Sequence, residues 1–594
     1  MVTMTRWNPG IGCLLAVTAG LVGCAPKTNV STTGNVPAAY AHVFMSVQEI
    51  WFNTSATAGP DDTTWKKFPL TTPTTVDLAT SLEGTLSSIT TGLAVPVGTY
   101  AQVRLIPVDS GATLLSSASA LGAVYNSEVD YTDSAGTLHQ VPLELLNPDK
   151  GLGVTTTAQV KGDTTNVFSS TSSTNASTSS TATDPTTGQP ISSTQNTSTT
   201  PVTNTSTGTT PAATFKLAIN IDGARDLVPF IYSDLTGMLL NPHIVAYDQA
   251  AVGAISGTLD VTSLTGVSSP STSSYLNIQV TAESLSADGT RHIAVNSAPV
   301  AADGSFTVYP LSTSSSSPTS YDLVIHGPGI ATIIVKGVAV NVGDPSSTTP
   351  VNIGSITPRA ATSFTVNLNA TNPLPAGALV GFYQTLPGSS EVPYLIDAHP
   401  IDPFSRTFSS DQAQSTASID YGTFTSGSTV TLTSADPTEG AATYRVAGTA
   451  PLFSDGALTT TVTAPSSSTS TATSVAVPVL TAASGAALVS TTVTISKSSS
   501  TKYNKGELIF SHDGAIVQTV AIDSILTQTA NATLTISGLP GGSSSGQFAD
   551  GLYYVSVRVW NTSTPATLPS REIYPTSLDL RTGALTSGYQ LNIN

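Results

Sequence analysis

Hydrophobic residues recur along this chain with a period of two. Val43, Met45 and Val47 alternate with His42, Phe44, Ser46 and Gln48, and Ala101, Val103 and Leu105 alternate with Tyr100, Gln102 and Arg104. Phe215, Leu217, Ile219 and Ile221 do the same against Lys216, Ala218, Asn220 and Asp222. Successive side chains of a strand point to opposite faces, so this alternation predicts strands with one buried face. The texture persists to the C-terminus in Phe364-Thr-Val-Asn-Leu, Leu379-Val-Gly-Phe-Tyr, Thr429-Val-Thr-Leu, Glu507-Leu-Ile-Phe and Gly551 to Trp560. Short strands at regular intervals, with turn residues between them, predict an all-β chain of tandem β-sandwich modules, Ig-like or transthyretin-like.

Two kinds of segment break the pattern. Residues Lys27 to Pro37 are polar and read as a flexible tether. Between Gly162 and Pro211, and again after Ala464, the chain becomes almost pure Ser, Thr, Asn, Gly and Pro, with too little apolar surface to offset the entropy of ordering. These stretches are expected to be disordered, the first as an insertion between two strands of one domain.

The N-terminus has a different logic. Arg6 precedes an apolar run from Ile11 to Val22, which ends in Leu21-Val22-Gly23-Cys24. The run is shorter than the roughly 20 residues that span a bilayer and contains Gly12, Thr18 and Gly20, so it reads as an export signal. Leu21, Val22, Gly23 and Cys24 resemble the lipobox of bacterial lipoproteins. That resemblance implies cleavage after residue 23 and acylation of Cys24, palmitate included, which anchors the protein to the membrane of the cell envelope. More than one acyl chain gives stable attachment where a single chain does not. Alanine at position 25, where inner-membrane retention calls for aspartate, favours the outer membrane. The competing reading is an ordinary cleaved signal with an incidental cysteine.

Composition narrows the partners. Thirty-seven acidic against 20 basic residues give a net charge of −17, which disfavours nucleic acid, since phosphate binding needs clustered Lys and Arg. The only cysteines are Cys13 and Cys24, so the mature product has no internal disulfide and its domains rest on their cores.

Two stretches carry family resemblances. Tyr40 to Ile50, Val76-Asp-Leu, Gly98 to Leu105, Phe215 to Asp222 and Leu240-Asn-Pro-His-Ile are similar to the family catalogued as domain of unknown function 4382. It implies a β-rich exported domain and supplies no catalytic residues. Gly253-Ala-Ile-Ser-Gly-Thr-Leu, Leu276 to Ala282, Asp303-Gly-Ser-Phe and Tyr321-Asp-Leu-Val-Ile resemble the carboxypeptidase regulatory-like, transthyretin-like sandwich. There Asp-Gly-Ser-Phe forms a hairpin turn, in keeping with the positive φ that glycine supplies. The expected organisation is a signal peptide at 1–23, a lipidated tether at 24–36, a domain at 37–250 with a disordered insertion at 163–211, a sandwich at 252–345, and sandwich-like modules at 355–465 and 475–594. The last two stretches are also readable as one larger unit.

The candidate chemical groups fall into no catalytic pattern. The seven histidines, at 42, 139, 243, 292, 326, 399 and 512, include no pair at the short spacing of a zinc site, so each reads as an ordinary strand or loop residue. Gly542-Ser-Ser544-Ser-Gly546 has the spacing of a hydrolase nucleophile elbow, but it lies in linker-like sequence before a strand and not before a helix. Asp288 and Asp303, each followed by glycine, read as turn residues before calcium ligands. Trp51, Phe52, Tyr383 and Trp560 would stack sugars if exposed, although strand aromatics mostly fill cores. The sequence therefore points to a non-catalytic binding or scaffolding lipoprotein with no cofactor and an unknown protein or carbohydrate ligand. Its alternatives are a carbohydrate-binding or adhesion lipoprotein at the cell surface, and an enzyme of unrecognised type.

Overall fold

The computed structural model describes residues 27–593, except 163–214, 263–277, 342–349, 464–472, 563–570 and stretches of one to six residues elsewhere. The signal and lipobox, with Leu21, Val22, Gly23 and Cys24, lie outside the described residues, as do the 163–211 insertion and most of the tract after Ala464. The rest is nearly all strand, arranged in many separate sheets, as the alternation predicts. Among the described residues no helix is long and apolar enough to cross a membrane.

The first sheet has 12 strands and is organised by Tyr40–Asn53. One edge of this long strand pairs with Lys66–Asp77, while the other edge is shared between Ser127–Thr132 and Gln102–Pro107. The sheet thereby divides into two arms that feed one core. A register shift between Val47 and Glu49 changes the parity: Val43, Met45 and Val47 enter the core from odd positions, Ile50 and Phe52 from even ones. An extra residue in one strand turns every later side chain to the other face. The outer face is covered too, for Phe44 packs on Ala118 and Ala123, and Trp51 on Trp65 and Ile106.

The expected tether is corrected by the structure. Thr28–Gly34 is a strand inside this sheet, parallel to Phe215–Ile221 and antiparallel to Ser87–Leu93, with Thr28 and Val30 buried. Its polar side chains misled because backbone pairing on both edges, rather than side-chain apolarity, holds it in place. Val245–Asp248 pairs with Leu152–Thr156 on one side and Phe215–Ile221 on the other, while Val160–Gly162, which directly precedes residue 163, pairs with Gly98–Tyr100.

Two sheets enclose the second core: Val252–Leu259 with Ser305–Ser312 and Val351–Ile356, and Gln279–Leu285 with His292–Pro299, Thr319–His326 and Thr332–Val340. Gly304 has the expected positive φ of 86°, but its turn does not close a hairpin, because His292–Pro299 and Ser305–Ser312 belong to different sheets. Gly289, with φ of 69°, sits in a true hairpin between Gln279–Leu285 and His292–Pro299.

The third core is built onto the second. Ile419–Thr423 joins Thr332–Val340 in parallel and extends its sheet. Leu323, Ile325, Ile333 and Val335 face the second core, whereas the intervening Val324 and Ile334 face a third core that runs from Leu374 to Leu480. A sheet buried on both faces needs continuous apolar runs, which explains Leu323-Val-Ile and Ile333-Ile-Val. A fourth core, from Val493 to Ile593, lies between a sheet centred on Ala487–Lys497 and one built on Lys505–His512 and Leu552–Trp560.

The four cores close into a ring. Asn35 and Asn220 donate to Asn296 between the first and second, and Arg291 pairs with Asp455 between the second and third. Arg406 donates to the Thr519 carbonyl between the third and fourth, and Arg104 meets Asp513 between the fourth and first. Phe230, Leu239, Ala376, Ile509 and Ile516 form a common apolar cluster drawn from three of these units. At Gly377 a Cβ would lie 2.1 Å from the Ile516 carbonyl oxygen. Gly377→Ala is therefore expected to cost about 1–3 kcal/mol, read as a lowered urea midpoint.

Candidate binding cleft

A cavity of about 610 Å³ opens where the first three units meet. The first unit contributes Tyr40 at the start of the long strand, and Asp222 and Arg225 from the one-turn helix Gly223–Asp226. The second contributes Gln279, Ser297 and His326; the third contributes Tyr383, Asp397, His399 and Asp455. Apolar walls come from Leu227, Ile293, Leu379 and Ile396. No unit holds the cavity alone.

Strand geometry brings its polar groups together. Asp397 and His399, two apart on Tyr394–Pro400, share a face, and Asp397 Oδ2 lies 2.9 Å from His399 Nε2. His326, at the end of Thr319–His326, brings Nδ1 to 3.9 Å from Asp397 Oδ1. Burial pushes the His326 pKa down, opposed by Asp397, so its neutral form is favoured. Asp222 caps its helix through Ala224 N, and its two carboxylate oxygens, 3.1 and 3.0 Å from Ser297 Oγ, share that hydroxyl's single proton. Burial raises the Asp222 pKa, and Arg225 pulls it back. The Tyr383 hydroxyl is pushed up to about 12 by burial, so it stays protonated. Gln279 presents at the cavity wall a buried Oε1 that has no hydrogen-bond partner among the described residues.

A second polar cluster lies beside the cavity. Glu283 is fully buried; its Oε2 accepts from Leu395 N at 3.2 Å, while its Oε1 finds no partner among the described residues. Burial holds its pKa well above the usual carboxylate range. Nearby, His292 stacks on Tyr394 at 3.9 Å, and the Tyr394 hydroxyl donates to Asp322.

The candidates from sequence fall into place unevenly. His42, His139 and His243 each lie within 3.1 Å of a carboxylate, and His512 lies 3.1 Å from a carbonyl oxygen. Among the described residues no three His, Cys, Asp or Glu are arranged to hold a metal. Asp288 and Asp303 each bind their own turn through Thr290 and Ser305. Gly542 to Gly546 leads from Ala532–Gly541 to the strand Leu552–Trp560 with no helix among the described residues between them, and Ser544 itself lies outside the described residues. Trp51, Phe52, Tyr383 and Trp560 are all buried, which removes them as a sugar-stacking platform. Sequence reasoning missed the cavity because its groups come from three units, although Asp397-Ala-His399 on a strand was a readable signal.

Residues 28–168 match the model of the family described as Domain of unknown function (DUF4382). No curated protein matches the chain. Among solved structures, it is similar to a candidate adhesin of Bacteroides ovatus at 9% identity, over 39% of this chain and 93% of that one, with a TM-score of 0.13. Two B repeat units of the collagen binding protein of Staphylococcus aureus align at 10% identity over 57% and 74%, with a TM-score of 0.10. The major pilin subunit of Bacillus cereus aligns at 10% identity over 58% and 99%, with a TM-score of 0.12. Scores this low carry no argument about what the chain does.

Proposed function

We propose that this protein is an exported lipoprotein, acylated at Cys24 and held in the cell envelope, most simply at the outer membrane, where it acts as a non-catalytic binding scaffold. The carrying observation is the cavity at the meeting of three units, which exists only because the modules are locked in a ring. Its polar groups are largely committed to one another: Asp222 to Ser297, Asp397 to His399, Asp455 to Arg291. These pairings hold the polar groups in fixed positions around an apolar-walled cavity, an arrangement that suits recognition of a ligand. In this reading the domain-of-unknown-function unit spans 37–250, the sandwich at 252–345 is of the carboxypeptidase regulatory-like kind, and the ligand is a protein or carbohydrate.

Two measurements test it. Wild-type protein should fractionate with membranes and carry an acyl mass, while Cys24→Ala should be released in soluble form; equal release of both would refute the anchor. A photo-crosslinking amino acid at Ala398, on the cavity wall, should give a discrete envelope adduct in cells. One at Leu138, exposed and away from the cavity lining, should not. Absence of any adduct specific to position 398 would overturn the cavity as the binding site.

A further inference from the structure

We propose that the end of the first sheet where Thr28–Gly34 begins is a membrane-contacting surface, so that the folded body rests against lipid headgroups without a spacer. The inference rests on the acylation of Cys24. Cys24 and Lys27 are three Cα steps apart, a span of at most about 11 Å. Lys27 is itself fixed, because its carbonyl accepts the Phe215 N–H at 3.1 Å and the next residue, Thr28, is buried opposite both Phe215 and Leu93. Whatever path residues 25 and 26 take, the acylated residue stays within that distance of the sheet. The headgroup layer of one leaflet is itself roughly 5–8 Å thick, half the difference between the whole bilayer and its hydrocarbon core. The remaining reach is too short to lift the domain clear of the interface.

The chemistry at this end agrees. Lys27 is exposed there, in a chain of net charge −17. Lysines near an anionic surface contribute about 1 kcal/mol each. The opposite end of Thr28–Gly34 lies about 20 Å further along, at 3.3 Å per residue, and leads to the exposed Ala38.

Site-directed quenching tests the geometry. Once the signal is removed, Cys24 is the sole cysteine and is blocked by lipid, so an introduced thiol is unique. Ala94→Cys, next to Leu93, and Ala38→Cys would be labelled with bimane in the full-length acylated protein. Each would then be bound to phosphatidylethanolamine–phosphatidylglycerol vesicles containing headgroup-nitroxide lipid. The expected result is at least twofold quenching at position 94 and little at 38, with the difference abolished by 15 Gly/Ser residues inserted between Ala25 and Pro26. Equal quenching at the two positions in protein whose acyl mass is verified would overturn the proposal. A missing acyl mass would instead show that the anchor reading had failed, and the contact with it.

Discussion

Asp513→Ala is expected to destabilise the whole protein by about 3 kcal/mol, the lower end for breaking a buried ion pair, because Asp513 keeps 35% of its side chain in water. Arg104 is 2% exposed and also donates to the carbonyls of Lys150 and Gly151, so without Asp513 its guanidinium stays buried beside neutral acceptors. Asp513 and Gly514, with φ of 52° and 91°, form the tip of the hairpin between Lys505–His512 and Ala515–Ala521. That tip docks on the first sheet through the bond from Gly153 N to the Asp513 carbonyl, at 2.8 Å. Asn tolerates the left-handed conformation and retains an acceptor, so Asp513→Asn should lose distinctly less than Asp513→Ala. Urea denaturation followed by tryptophan fluorescence measures both. Equal stability of Asp513→Ala and wild type would mean that this contact does not hold the ring closed.

Glu283→Gln is expected to stabilise the protein, increasingly so as pH rises. The folded state keeps Glu283 protonated well above its ordinary 4.5, while the unfolded chain releases the proton there. Its contribution to stability is complete below about pH 4.5 and is lost as pH climbs toward the folded-state pKa, at about 1.4 kcal/mol per pH unit. Gln removes that dependence and still offers Leu395 N an acceptor. The gain over wild type should be small at pH 4.5 and clearly larger at pH 8. Thermal or urea unfolding at the two pH values decides it, and a pH-independent difference would refute a buried neutral acid. His292 and His326, at the same junction, act with the opposite sign. Burial lowers both, so their contribution is lost as pH falls below 6.5 toward their folded-state values. Acid should therefore loosen the contact between second and third units that alkali also strains.

Much of the fold was legible because alternation reports one buried face directly. Val103, Leu105, Leu217, Ile219 and Ile221 all sit in the first core, as their spacing indicates. The pattern failed where a residue's surroundings come from far along the chain. Arg104 faces away from its own core, as read, but into the fourth unit. Phe44 and Trp51 occupy nominally outer positions and are covered by remote segments. Register shifts are equally silent, since nothing in Val47-Gln-Glu announces the extra residue that reverses parity. The cavity shows the same limit: Asp397 and His399 are neighbours in sequence, whereas their meeting with His326, Asp222 and Tyr383 depends on how three units pack.

The parallel pairing of Thr28–Gly34 with Phe215–Ile221 sets the order in which the chain can mature. Synthesis delivers the N-terminus first, so the first strand keeps one edge unsatisfied until Phe215–Ile221 has followed. Contacts this distant in sequence form slowly, and a half-paired strand is a template for misassembly. Biogenesis of this protein should depend on a holding chaperone more than its final stability does.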